Sequence, residues 1–157
     1  MFLYEAFPPG LIKVGLEAED KDEAFEELVD LFCRAGKSDA RKEILEALRL
    51  REAKMSTGIQ KGIALPHGRI AALEGVHGIL GISKKGLEYD SLDGGKVYLI
   101  FMVLASTADS ESYLRLLKRL AEILDNSQFY ADILAQNSAA NAHAVIMKYE
   151  NIFTTPE

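Results

Sequence analysis

The stretch that most restricts the architecture is "KVYLIFMVL", residues 96–104, in which every residue after Lys96 is apolar or aromatic. It is far short of the ~20 apolar residues that a membrane-spanning helix needs, and its Val, Ile, Tyr and Phe content favours extended backbone. A strand without polar alternation offers no face to water, so other elements must cover both of its faces. A sheet therefore lies in the middle of the core, with further structure packed above and below it.

The rest of the pattern supplies those layers. "VHGILGI", residues 76–82, reads as a second strand and "LIKVGL", residues 11–16, as a short one. Between the two long strands, "KKGLEYDSLDGG" carries Gly86, Asp93, Gly94 and Gly95 as turn punctuation around a short strand at "LEY", with Lys84 and Lys85 in a solvated turn, as in a meander. Asp20 caps a helix with Glu23 three residues on; Phe25, Leu28, Val29 and Phe32 form its apolar stripe and Gly36 closes it. Ser38 or Asp39 caps a second helix, with Ile44, Leu45 and Leu48 facing inward, that ends near Lys54. Arg51 falls in its last turn, where a cation complements the helix dipole. From Ser110 a helix presents Leu114, Leu117, Ala121 and Leu124 on one face, widened by Leu116, Leu120 and Ile123 until most of it is buried. Residues 127–136 and 140–149 read as two more helices before a frayed "NIFTTPE" tail.

At 157 residues the chain suits one domain, 1–157, with its core at about 7–150. The N-terminal "MFLYEAFPPG" has neither a basic leader nor a long apolar run, so a cytoplasmic protein with no direct membrane insertion is expected. A net charge of −6 disfavours the basic stripe that nucleic-acid binding requires. The single cysteine, Cys33, excludes an internal disulfide framework and reads as a small buried hydrophobe on a helix.

Chemistry concentrates in "STGIQKGIALPHGRI", residues 56–70. Gly58, Gly62 and Gly68 remove side chains around His67, and Pro66 fixes the backbone before it, as at a strand end presenting an imidazole in a shallow depression. Neutral imidazole is abundant near pH 7 and is a good nucleophile, so a histidine suits reversible phosphoryl transfer. Such a site needs cations or N–H groups for the phosphoryl oxygens and room for a partner's in-line approach. On these residues alone His67 reads more readily as a turn residue than as a reactive one. No G-x-x-x-x-G-K-S/T supports nucleotide binding.

A longer window settles more. "REAKMSTGIQKGIALPHGRI" resembles the active-site signature of the enzyme IIA domains of the fructose and mannitol class in the bacterial phosphoenolpyruvate-dependent phosphotransferase system. "GLEYDSLDGGKVYLIFMVL" resembles that family's following strand, turn and strand, and "YLRLLKRLAEIL" its next helix. Within the class, "REAKMSTGI" is most similar to the nitrogen-type regulatory member. The expected fold is α/β (α+β): a single-domain sandwich with a mixed central sheet of about five strands and helices on both faces.

The resemblance implies that His67 accepts a phosphoryl group on Nε2 from the phosphocarrier protein HPr, with no nucleotide and no metal. It implies that Arg51 lies near the phosphoryl group. Ser56, Thr57 and Gly58 match positions beside the site, where they either hydrogen-bond the phosphate or shape the loop. The family's second histidine, at the start of the long helix, is replaced here by Tyr113, which can donate a hydrogen bond but cannot carry a proton near neutral pH as imidazole does.

His77 and His143 lack metal-site spacing with Cys33 or His67 and read as core or surface histidines; Asp90 and Asp93 fit turn chemistry. Two functions share the first step. In one, His67 phosphorylation switches the binding of regulatory protein targets. In the other, the phosphoryl group passes to an enzyme IIB for sugar uptake. A free-standing chain and Tyr113 favour the regulatory branch. A scaffold that is never phosphorylated is the third, opposed by intact His67 and Arg51.

Overall fold

In a computed structural model of the chain, which describes residues 1–153, α1 (Leu3–Ala6) and a short 3-10 turn (Pro9–Leu11) lead into β1 (Ile12–Val14). Helices α2 (Lys21–Arg34) and α3 (Arg41–Lys54) follow. Then come the short strands β2 (Gly58–Gln60), β3 (Ile63–Ala64) and β4 (His67–Arg69), and the long strands β5 (Val76–Leu87) and β6 (Val97–Ala105). Helices α4 (Ser110–Leu124), α5 (Ser127–Leu134) and α6 (Ala139–Phe153) end the described chain.

The six strands form one mixed sheet in the order β1-β5-β6-β3-β2, with β4 also on β6. β5 and β6 are antiparallel, with Ile79 opposite Met102; β1 runs parallel to β5, and β3 and β4 parallel to β6. β6 is the buried central strand that its composition demands. Leu99, Phe101, Val103 and Ala105 face the layer of α1, α4, α5 and α6, while Ile100, Met102 and Leu104 face α2 and α3. The period of two thus divides one apolar run between two cores. On one side Phe101 packs edge-on to Phe7, and on the other Phe25 packs edge-on to Tyr89.

Several local expectations shift. Asp20 caps α2, its Oδ1 accepting the Glu23 N–H at 2.9 Å, but α3 starts after Ala40 without a side-chain cap, and Ser38 Oγ instead accepts from Ala40 N. Lys84 and Lys85 lie in β5 rather than a turn. The strand continues past Ile82 because a register irregularity, with Gly86 at φ +80, lets Leu87 pair with Val97. Lys84 Nζ reaches the carbonyls of Leu134 and Gln136, where a cation favours the C-terminal end of α5. "LEY" forms no separate strand; Leu87 ends β5, and Glu88 makes one bridge to Asp20.

α4 is rolled relative to the expected face. Tyr113, Leu116, Leu120, Ile123 and Leu124 are buried, while Leu114 is 62% exposed and Ala121 lies outside. α6 extends through Asn151–Phe153, where a frayed tail was expected; residues 154–157 lie outside the described residues. Cys33 is half-buried rather than buried.

Candidate functional site

Three elements meet around His67. β4 carries His67, Gly68 and Arg69 along the end of β6, with His67 opposite Val103. α3 packs on β4 and brings Arg51 and Lys54 in its last turn. The first turn of α4 brings Tyr113 and Leu114. Together they line an open depression of about 610 Å³ with Ala47, Leu50 and Thr107. Three cations and no carboxylate line it, although the chain as a whole carries a charge of −6.

His67 opens β4 instead of ending a strand. Its Nδ1 lies 2.6 Å from the Leu65 carbonyl, which can only accept, so Nδ1 carries the proton and Nε2 keeps a free lone pair. Burial pushes the imidazole below its ordinary value of 6.5; the Leu65 carbonyl opposes that shift, Arg51 adds to it, and Glu52 opposes it. The ring is therefore neutral near pH 7 with Nε2 nucleophilic.

Arg51 lies at the end of α3 and at the depression together. Its Nη1 donates to the Met55 carbonyl just beyond α3 at 2.9 Å, an interaction at the helix C-terminal end, and the same side chain lines the depression. Tyr113 packs against the imidazole with ring centroids 6.1 Å apart. Burial pushes its hydroxyl up to about 12, opposed by Arg69 and Arg51, so near neutrality it can donate a hydrogen bond but not shuttle a proton.

Ser56, Thr57 and Gly58 are not among the residues lining the depression. Thr57 is buried, its N–H and Oγ1–H both donating to Glu52, at 2.7 and 2.6 Å. Ser56 Oγ accepts from the Gly58 N–H. A Cβ on Gly58 would lie 2.6 Å from Ser91 Cβ, and one on Gly62 2.6 Å from the Tyr130 hydroxyl, so these two glycines serve tight packing rather than openness around His67. Gly68 alone of the three borders the depression.

His77 and His143 do not line the depression: Nε2–H of His77 donates to the Glu74 carbonyl and that of His143 to the Tyr4 carbonyl, both at 2.7 Å. Among the described residues no group of three or more His, Cys, Asp or Glu is placed to hold a metal ion. Asp93 holds its turn by accepting from Gly95 N and Lys61 N.

Sequence reasoning assigned no role to Lys54, Arg69 or Glu52, although Glu52 stands in the arginine–glutamate pair of the matched signature. Arg69 follows the Pro-His-Gly stretch directly and donates to Ser110 Oγ at 2.6 Å, joining β4 to the start of α4. Lys54 lies three residues after Arg51, hence on the same helix face, a spacing visible in the sequence. No local pattern gives the contacts of Glu52, whose partners come from 5 to 37 residues away.

The family model for the phosphoenolpyruvate-dependent sugar phosphotransferase system, EIIA 2, matches residues 5–149. A fructose-specific EIIABC component of Bacillus subtilis is 33% identical over 138 residues, which are 88% of this chain and 22% of that protein. A fructose-specific EIIA component of Haloferax volcanii is 30% identical over 139 residues, 88% of this chain and 90% of that one. The crystal structure of the nitrogen regulatory protein IIA-Ntr from Neisseria meningitidis superposes with a TM-score of 0.84 at 28% identity, covering 92% of this chain and 98% of its own.

Proposed function

Because the chain belongs to the EIIA 2 family of the phosphoenolpyruvate-dependent sugar phosphotransferase system, we propose that His67 is its phosphoacceptor, taking a phosphoryl group on Nε2 from an HPr-type phosphocarrier protein and so changing the surface that protein partners meet. One observation carries this reading: the Nδ1–H to Leu65 bond leaves Nε2 as the nucleophilic atom in a depression lined by cations.

In the transfer, the Nε2 lone pair forms a bond to phosphorus as the donor's bond to the phosphoryl group breaks and the donor nitrogen takes back its electron pair. Positive charge that develops on the imidazole is shared through Nδ1–H with the Leu65 carbonyl. Arg51, with Lys54 and Arg69 around it, supplies the charge that the phosphoryl oxygens need. Tyr113 walls one side of the ring. Exposed Leu50 and Leu114 rim the depression and give a partner apolar surface to bury. Ser56, Thr57 and Gly58 act by shaping the loop rather than by touching phosphate, in keeping with their internal hydrogen bonds. On this reading the chain acts as one domain with its core at about 7–150.

The phosphoryl group adds about −1.5 to −2 charges, which offsets half or more of the charge of the three local cations, and this local neutralisation is the signal in the regulatory branch. Relatives named as fructose components keep the other branch in view, in which an enzyme IIB takes the phosphoryl group onward. The protein is incubated with phosphoenolpyruvate, enzyme I and HPr and its mass followed. The expected result is one phosphoryl group on the wild type and none on His67→Ala. Absence of label on the wild type contradicts both branches, and label retained by His67→Ala contradicts the site. Subsequent addition of enzyme IIB domains separates the branches, because loss of the label to them supports sugar transport and binding without transfer supports regulation.

A further inference from the structure

We infer that Glu52 is a positioning residue for this site: its buried carboxylate fixes the turn that follows α3, and that turn holds the Arg51 guanidinium at the depression containing His67. The inference rests on the reading of His67 and Arg51 proposed above.

Glu52 and Arg51 are adjacent on α3 and serve opposite sides of it. Arg51 is half-exposed at the depression, whereas the Glu52 side chain is 6% exposed. A carboxylate in that position is costly unless it is fully hydrogen-bonded, and an apolar side chain would fill the space with less penalty. Its oxygens are well occupied. Oε2 accepts from Thr57 N at 2.7 Å and lies 3.4 Å from Lys21 Nζ; Oε1 accepts from Thr57 Oγ1 at 2.6 Å and from the Tyr89 hydroxyl at 3.4 Å. The Tyr89 hydroxyl is also 2.8 Å from Thr57 Oγ1, and Lys21 lies over the Tyr89 ring, 5.0 Å from its centroid. One carboxylate therefore ties the end of α3 to the start of β2, the start of α2 and the segment after β5.

Two of these bonds fix both the backbone and the side chain of Thr57. Only Met55 and Ser56 separate Thr57 from the helix, and Ser56 is itself held by its bond from Gly58 N. The Met55 carbonyl that accepts from Arg51 Nη1 is thereby set in place. Glu52 thus acts on the site through Met55 and Arg51, without lining the depression itself.

The test is a titration cycle. Charged and titratable groups around His67 are Arg51 and Lys54 from α3, Arg69 from β4 and Tyr113 from α4, with Glu52 beneath. The titration midpoint of the His67 imidazole is read by NMR in the wild type, Glu52→Gln, Arg51→Ala and the double variant. Loss of the carboxylate charge lowers the midpoint in either background, whereas release of Arg51 raises it only where Arg51 is present. The expected downward shift on Glu52→Gln is therefore smaller in the wild type than in Arg51→Ala. Equal shifts in the two backgrounds overturn the inference.

Thr57→Val alters no charge and serves as the second variant should Glu52→Gln not fold. It is expected to raise the midpoint in the wild type and leave it unmoved in Arg51→Ala; no shift in either background overturns the inference. With phosphorylated HPr as donor, Glu52→Gln is expected to slow acceptance about tenfold, the order of one lost hydrogen bond to a charged group, and to slow Arg51→Ala no further. Losses that multiply overturn it. The titrations need no donor, so they decide the role of Glu52 even where wild-type protein takes no phosphoryl group and the proposed function fails.

Discussion

His67 is set up by its own backbone. The chain bends so that the Leu65 carbonyl accepts from Nδ1, and burial then lowers the affinity of the ring for a second proton. The sign of the pH dependence follows. Phosphoryl acceptance needs neutral imidazole, and a lowered value keeps the ring neutral through and somewhat below its ordinary titration range near 6.5. Acceptance is therefore expected to be level at neutral pH and to fall on acidification with a midpoint below 6.5, as measured by rate against pH at constant ionic strength. A midpoint above 6.5 contradicts the buried environment. His67 stood out in the sequence only through the longer window that resembles a family, because Pro-His-Gly between short apolar runs suits a turn residue at least as well. The role of Glu52 was not legible, because the arginine–glutamate pair of the signature gives no sign of the glutamate's partners until Thr57, just before β2, and Tyr89, after β5, are folded against it.

At the scale of elements, β6 was the most legible, since a wholly apolar run permits only a strand covered twice. α4 shows the limit of that reasoning. Its leucines fill more than one face, so periodicity alone does not choose the angle at which the helix sits on the sheet. Tyr113, Leu116, Leu120 and Ile123 pack inward, and Leu114 is left at the rim of the depression. Lys84 misled for a related reason, because its contacts are to the end of α5, some fifty residues on. The glycines before His67 are also elements of packing. Gly58→Ala would set its Cβ 2.6 Å from Ser91 Cβ and 3.0 Å from the Tyr89 ring, so it should destabilise the protein by about 1–3 kcal/mol, as overpacking does. Denaturant unfolding of the variant measures this, and unchanged stability contradicts the packing role.

For the molecule as a whole, the separation of charge matters more than its sum. A chain of net charge −6 presents a depression lined by Arg51, Lys54 and Arg69 and rimmed by Leu50 and Leu114. The expected encounter buries the leucines against a partner while the cations meet the incoming phosphoryl group. Leu114→Asp, at a side chain that supports no core, should therefore raise KM for phosphorylated HPr by about tenfold or more while leaving unfolding unchanged, in line with truncation at the centre of an interface. An unaltered KM would place docking elsewhere. The central claim concerns one atom, and the most direct measurement is a long-range proton–nitrogen NMR spectrum of the phosphorylated protein. It should show the phosphoryl group on Nε2 of His67, with Nδ1 still bearing its proton toward Leu65; a phosphoryl group on Nδ1, on another residue or on none contradicts the account.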